Sequence, residues 1–317
     1  MPKKRSTPAG EHVAVMLAEV LQYLDPHPGD VTLDCTLGFG GHARALAERI
    51  GPQGHLIGLD LDPEGHDKAR SILSSAGARL TIYCRNFASA PQALATLGVQ
   101  HVDMVLADLG MSSMQVDDPE RGFSYARDGA LDMRMDRSRG RTAAQLLATI
   151  SEEDLATALH QIGDEPYANE IAQAIVEHRK QTPLQRTRQL ADLVMRTTSP
   201  RADGSSKWRL RTSHGRWKSH PAARTFQTLR ILVNRELANL EHLLRIVPDM
   251  LRPGGRVAIL TFHSGEDRLV KSTFRDGLAS GRYQAAADHP VRPTESEKLT
   301  NPRARSAKLR WAVRANR

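Results

Sequence analysis

The sequence predicts an α/β fold, a doubly wound parallel sheet that carries an inserted helical domain, and three observations predict it. Short apolar runs alternate with helical patterns through the first third of the chain. A glycine-rich bend joins the first apolar run to the first helix. Strand patterns then disappear between Met114 and Ala222 and return afterwards. Strands that read as unbroken apolar runs are those covered on both faces, as in a parallel sheet flanked by helices.

Each element follows in order. Val31–Thr36 reads as the first strand and Ala43–Ile50 as the helix after the bend. His55–Asp60 is a second strand, Pro63–Ser74 a helix, Leu80–Cys84 a third strand and Met104–Leu109 a fourth. Ser151 followed by Glu152, Glu153 and Asp154 is a helix start with an acidic first turn. Ile171, Ile175 and Val176 share one face of a helix over Tyr167–Lys180, and Gln189–Arg196 is another helical stretch. From Ala223 on, Leu229, Val233, Leu237, Leu240, Leu244 and Val247 recur at helical spacing, which predicts one long amphipathic helix. Arg252-Pro253-Gly254-Gly255 is a turn, Arg256–Phe262 a strand, and Lys308–Arg314 alternates as a last strand.

Composition narrows the function classes. The 317 residues suit about two domains. A net charge of +8 suits a polyanionic partner, since each Lys or Arg near a phosphate releases counterions; a basic soluble surface is the plainer reading. Cys35 and Cys84 are too few and too far apart for a zinc ribbon or a disulfide framework, so no metal is expected and a reduced, cytoplasmic setting is. The basic residues at the N-terminus are not followed by an apolar stretch, and no run approaches the length of a membrane span.

The strongest local signal is Asp34-Cys35-Thr36-Leu37-Gly38-Phe39-Gly40-Gly41-His42, with Asp60 closing the next strand. Glycines there permit a tight turn and a close ligand approach, and a carboxylate at the second strand end can accept from a ribose diol. The chemistry stays open at this point. Gly38, Gly40 and Ala43 fit the dinucleotide fingerprint of an NAD-dependent oxidoreductase. Asp34 ahead of the glycines favours instead a ligand with a cationic amino-acid end. A glycine turn with capping acids is the structural alternative. Asp108, in Asp108-Leu109-Gly110, closes the fourth strand at the same crevice, either as a ligand acceptor or as a turn cap.

Several longer blocks together resemble one family. Asp34 to His42, Asp108-Leu109-Gly110-x-Ser112-Ser113-x-Gln115, Arg121-Gly122-Phe123-Ser124 and Leu131 to Asp136 are similar to the bacterial 16S ribosomal RNA cytosine N4-methyltransferases. So are Arg224-Thr225-Phe226-Gln227, Phe262-His263-Ser264-x-Glu266-Asp267-Arg268 and Asn301 to Arg310, in family order from about His12 onward. The resemblance implies a Rossmann-like class I methyltransferase. Its core would comprise residues 1–113 and 223–317, with an inserted helical substrate-recognition domain over 114–222. It implies S-adenosyl-L-methionine as methyl donor, and N4 of one cytosine near the decoding centre of 16S rRNA as target. It places cofactor contacts on Gly40, Gly41, His42, Asp60, Phe87, Asp108 and Gln115. Ala14, Met114, Asp164-Glu165-Pro166 and Gly265 depart from the family pattern, which bears on RNA contacts and the Phe262–Asp267 loop.

On that reading the enzyme aligns a poorly nucleophilic amino nitrogen with the methyl carbon, and Asp108 is the candidate catalytic acceptor. His263 either contacts the base or orients Glu266, and Glu266, Asp267 and Arg268 look like a helix start with local ion pairs. The base has to leave its stack or come from a single strand. Lys207, Arg209, Arg211, Arg216 and Lys218, interleaved with Trp208 and Trp217, and the tail from Arg303 to Arg317 are expected to hold RNA. A non-catalytic assembly factor is the remaining alternative, and a homodimer is an open expectation.

Overall fold

The computed structural model describes residues 14–111, 113–198 and 220–316. The basic loop carrying Trp208 and Trp217 lies outside them, as do His12 and Ser112. The chain divides into two compact units, one running to Gly110 and resuming at Leu237, the other Met111–Glu236.

The first unit is built on a seven-stranded sheet: β1 (Val31–Asp34), β2 (His55–Asp60), β3 (Arg79–Cys84), β4 (Val102–Asp108), β5 (Leu251–Thr261), β6 (Tyr283–Ala286) and β7 (Lys308–Arg314). The order is β3-β2-β1-β4-β5-β7-β6. The first five strands are mutually parallel, and β7 runs antiparallel between β5 and β6. Asp34 pairs with Gly58 on one side and Leu106 on the other, so β1 sits at the point where chain order reverses. Its helices are α1 (Leu17–Leu24), α2 (Gly41–Ile50), α3 (His66–Leu73) and α4 (Ala90–Thr96).

The helical unit follows with α5 (Ser113–Asp117), α6 (Ala143–Thr149), α7 (Glu152–Gln161), α8 (Ala168–Gln181), α9 (Thr187–Thr198) and α10 (Ala223–Asn234). The chain then re-enters the first unit with α11 (Glu236–Met250), α12 (Ser264–Ala279) and α13 (Glu295–Thr300).

Strand alternation sorts the core of the first unit into two layers. Ile57, Leu59, Val105 and Ile259 pack with Ala93, Leu243 and Val270. Leu56, Met104, Leu106 and Leu260 pack with Val20, Leu46 and Leu73. β2 and β4 are therefore apolar along both faces, which explains their unbroken apolar runs.

The second unit has its own core, with Leu147, Leu159, Ile171, Leu190, Phe226 and Leu229. Its helix starts are encoded locally. Thr142 and Gln145 form a capping box on α6, and Ser151 caps α7 by accepting the Asp154 N–H. Arg179 Nη1 donates to the Leu147 and Ile150 carbonyls, satisfying acceptors that the end of α6 leaves open. Gly122 takes φ 72, and a Cβ there would fall 2.1 Å from the Ala130 carbonyl oxygen, so this turn admits no side chain.

Three expectations are corrected. The single long helix after Ala223 is two helices, because Arg235 adopts φ 52, a left-handed conformation that no helix continues through. The first of them packs on α6 and α7, so α/β structure resumes at Leu237 rather than Ala223. The strand expected to start at Arg256, after a turn at Arg252–Gly255, starts at Leu251: Val102 pairs with Leu251 and Met104 with Arg256, so the turn bulges out of a continuous β5. Among the described residues, no helix is long and apolar enough to cross a membrane.

Candidate active site

Parallel pairing puts the C-terminal ends of β1, β2 and β4 on one edge of the sheet, and each ends in an aspartate. In open α/β sheets that edge, at the reversal of strand order, is where ligands bind. The segment after β1 is fastened there by hydrogen bonds rather than by apolar packing. Asp60 Oδ2 accepts the Gly38 N–H at 2.7 Å and its Oδ1 accepts the Asp62 N–H at 2.8 Å. Asp34 Oδ1 accepts the Thr36 N–H at 3.0 Å, and Thr36 Oγ1 accepts the Asp108 N–H at 2.6 Å. Gly40, at φ 83, turns the chain into α2, whose first intrahelical bond is donated by Arg44. The N–H groups of Gly41, His42 and Ala43 precede that bond and lie at the positive end of the helix.

The electrostatics are those of crowded, buried acids. Burial pushes the Asp34 carboxyl up to about 7, against the pull of the Thr36 N–H and of His42. Burial likewise raises Asp60, opposed by the N–H groups of Asp62 and Gly38. Asp108 is raised by burial, lowered by His42 and raised further by Glu266. Its Oδ2 lies 3.5 Å from His42 Nδ1, while its Oδ1 is buried with no hydrogen-bond partner among the described residues. A buried carboxylate oxygen with no partner is an acceptor waiting for a donor. Cys35 beside it is no nucleophile, because burial and Asp34 push its thiol well above the ordinary range.

The sequence-predicted residues distribute as follows. The first unit gathers Gly40, Gly41, His42, Asp60 and Asp108 around the tips of β1, β2 and β4. Phe87 begins a short turn after β3, one strand further out, and packs half-buried against the core. Gln115 is buried on α5 in the helical unit. Sequence reasoning missed Thr36, though it stands inside the quoted motif, and the Val15 carbonyl, which accepts from His42 Nε2 at 2.8 Å. It also missed His66, whose Nε2 is buried without a partner among the described residues, close enough to Asp60 to influence it.

On the C-terminal side the helix start and the place of His263 beside Glu266 agree with expectation, and the ion pairs of Asp267 do not. His263 caps α12, its Nδ1 accepting the Glu266 N–H, and its Nε2 lies 3.2 Å from Glu266 Oε1. Asp267 pairs across the fold rather than locally, with Lys308 Nζ at 2.8 Å and Arg310 Nε at 2.7 Å. Lys308 and the buried Arg310 are thus held by Asp267 within the fold, which removes them from the expected RNA-binding tail.

A sheet in this order with an antiparallel seventh strand, a glycine bend after β1 and an acid closing β2 define a Rossmann-like, S-adenosylmethionine-dependent methyltransferase. The chain belongs to the MraW methylase family, whose model matches residues 9–315. It is 43% identical to the ribosomal RNA small subunit methyltransferase H 1 of Lachnoclostridium phytofermentans, over 99% of this chain and 84% of that one. It is 42% identical to the ribosomal RNA small subunit methyltransferase H of Geotalea daltonii, over 95% and 97% of the two chains. Among solved structures, an rRNA methylase from Streptococcus thermophilus aligns over 94% of this chain and 93% of that one, at 10% identity and a TM-score of 0.42.

Proposed function

We propose that this chain methylates the exocyclic N4 of a cytosine near the decoding centre of 16S rRNA, using S-adenosyl-L-methionine. The observation that carries the reading is the unpartnered Asp108 Oδ1 beside the glycine bend: a buried acceptor where an amino group would enter. The match to small-subunit rRNA methyltransferases along nearly the whole chain supports the substrate class.

The residues fit the cofactor. A sulfonium nucleoside with an ammonium end is cationic, and the buried Asp34, Asp60 and Asp108 favour it. Asp34, which stands just ahead of the glycine bend, disfavours the pyrophosphate of NAD there, whereas Asp60 suits the ribose of either cofactor. Gly40, Gly41 and His42 would approach the donor through the start of α2, Asp60 would accept from the ribose diol, and Phe87 would pack against adenine. Asp108 completes the contacts proposed in the first unit, and Gln115, in the helical unit, is proposed on the family resemblance alone. When bound, the cofactor supplies an electrophilic methyl carbon.

The chain's part is alignment and proton transfer. Holding the two reactants in line contributes on the order of 7–11 kcal/mol in favourable cases. Asp108 Oδ1 would accept a hydrogen bond from the cytosine amino group, draw its lone pair out of conjugation and take its proton as the nitrogen–carbon bond forms and the methyl carbon's bond to sulfur breaks, with neutral S-adenosyl-L-homocysteine as the leaving group. The helical unit and the basic loop at residues 207–218 are assigned to hold RNA. The proposed setting is the cytoplasm, and a homodimer is part of the proposal.

The test is methyl transfer to small ribosomal subunits lacking the mark, followed by nucleoside analysis. N4-methylcytidine at one position is the expected product. A methyl group on another atom, or none, overturns the reading.

A further inference from the structure

We infer that His42 is a positioning residue that holds one proton in common with Asp108, and so leaves Asp108 Oδ1 as the single oxygen presented to the target amino group. The inference rests on the proposed role of Asp108 as amino acceptor and adds to it a chain of contacts: Val15 carbonyl, His42 ring, Asp108 carboxyl.

The argument is one of donors and acceptors. The Val15 carbonyl oxygen can only accept, so the His42 Nε2 that lies 2.8 Å from it carries a hydrogen. In a neutral ring, Nδ1 would then present a lone pair, and Nδ1 lies 3.5 Å from Asp108 Oδ2. Two lone pairs facing each other in a buried site repel, and a proton between the groups, as imidazolium with carboxylate or as imidazole with carboxylic acid, relieves that repulsion. The His42 side chain is buried and the Asp108 side chain is mostly so, at 6% and 21% exposure.

Two further contacts make the pair rigid. The Asp108 N–H is held by Thr36 Oγ1 at 2.6 Å, which fixes the backbone from which the carboxyl projects. The His42 ring is set on the first turn of α2, between a backbone carbonyl and the acid. With Oδ2 turned to the imidazole, Oδ1 is the oxygen left without a partner. The arrangement resembles in logic any acid–histidine pair in which the far ring nitrogen fixes the tautomer of the near one.

The pair also answers an electrostatic difficulty. Asp34, Asp60 and Glu266 all act on this site as further acids, with Cys35 beside Asp34 and His263 turned to Glu266. A His42–Asp108 unit carrying one shared proton is neutral overall and adds no net negative charge to that group. Raising the pH until the shared proton is lost leaves an uncompensated carboxylate among acids, which disfavours the aligned geometry.

Nuclear magnetic resonance of the ring nitrogens, on the full-length protein labelled in its 13 histidines and without RNA, tests the chain directly, with His42→Gln identifying the signal. The expected result is a His42 Nε2 that carries the hydrogen, and an Nδ1 signal that changes in Asp108→Asn, where the carboxylate is lost. A neutral ring protonated at Nδ1, or an Nδ1 signal that Asp108→Asn leaves unchanged, overturns the inference, and does so whatever the protein methylates. In turnover, His42→Gln should lower kcat by on the order of 10²-fold and leave KM for the ribosomal substrate near the parent value. The pH dependence of its single-turnover rate should lose one ionisation. A loss confined to KM, with the parent pH profile retained, overturns the positioning role.

Discussion

Thr36 Oγ1 accepts the backbone N–H of Asp108 at 2.6 Å, so a hydroxyl from the segment after β1 fixes the tip of β4. Thr36→Val keeps the shape of the side chain and removes the acceptor. The Asp108 N–H is then left unpaired, at a cost of about 1–3 kcal/mol. Urea denaturation should show that loss, and turnover should fall with it. A variant as stable as its parent would mean that water takes the place of the hydroxyl.

Asp60 holds the glycine bend through Gly38 and is also the proposed ribose acceptor. Asp60→Asn keeps one acceptor oxygen but turns an amide N–H toward one of two backbone donors. Calorimetry should show binding of S-adenosylmethionine weakened roughly 10- to 100-fold. Unchanged affinity removes Asp60 from the cofactor site.

Asp108→Ala removes the proposed acceptor while leaving its backbone bond to Thr36 in place. Single-turnover methylation at saturating cofactor should fall by on the order of 10²-fold or more. An unchanged single-turnover rate excludes Asp108 from the chemical step and confines it to binding.

Asp34 gives a pH signature of definite sign. Its carboxyl ionises near 3.8 in an unfolded chain and near 7 when buried in the fold. Between those values the folded chain binds the extra proton, so this group's contribution to stability is full below pH 3.8 and is lost as pH rises through about 7. Asp34→Asn should match the parent near pH 4 and be the more stable protein at pH 8, by thermal denaturation. In the parent, a cationic ligand favours the ionised carboxyl, so binding of S-adenosylmethionine near neutral pH should release protons. Calorimetry in buffers of different ionisation enthalpy measures that release, and its absence places the ligand's charge away from Asp34.

Asp267→Ala strands Arg310, a buried cation, beside Lys308. Leaving a buried charge without its partner typically costs about 3–5 kcal/mol. Burial by itself would raise the Asp267 carboxyl, but the bonds from Arg310 and Lys308 outweigh it and hold the group below 3.8. The stabilisation it provides is therefore present above pH 3.8 and lost as pH falls below it. Equal acid denaturation midpoints for parent and variant would contradict this.

Much of the core was legible because its signals are local and periodic. The unbroken apolar runs of β2 and β4 and the alternation of β7 follow from which faces are covered, and the terminal aspartates of β1, β2 and β4 can be read off beside them. What stayed hidden depends on contacts distant in sequence or on a single backbone conformation. No periodicity reveals that Arg235 turns left-handed between two helices with one continuous apolar stripe. The short β6, Tyr-Gln-Ala-Ala, lacks a β-branched run and exists because β7 offers it an edge. At the site, a histidine in a glycine motif reads as a ligand contact. That its ring joins Val15 to Asp108 is visible only once α2 and the segment preceding α1 are placed together.

The adjacency of β4 and β5 has a kinetic consequence. The two strands pair directly, yet the whole helical unit is threaded between Asp108 and Leu251. Their ladder cannot form until that long excursion has been drawn together, and loop closure over such a span is entropically slow. During synthesis the β1–β4 half emerges with the outer edge of β4 unpaired, a surface that invites association with other chains. Early compaction of the Met111–Glu236 segment would shorten the effective distance between the two halves and limit the time that edge stays open.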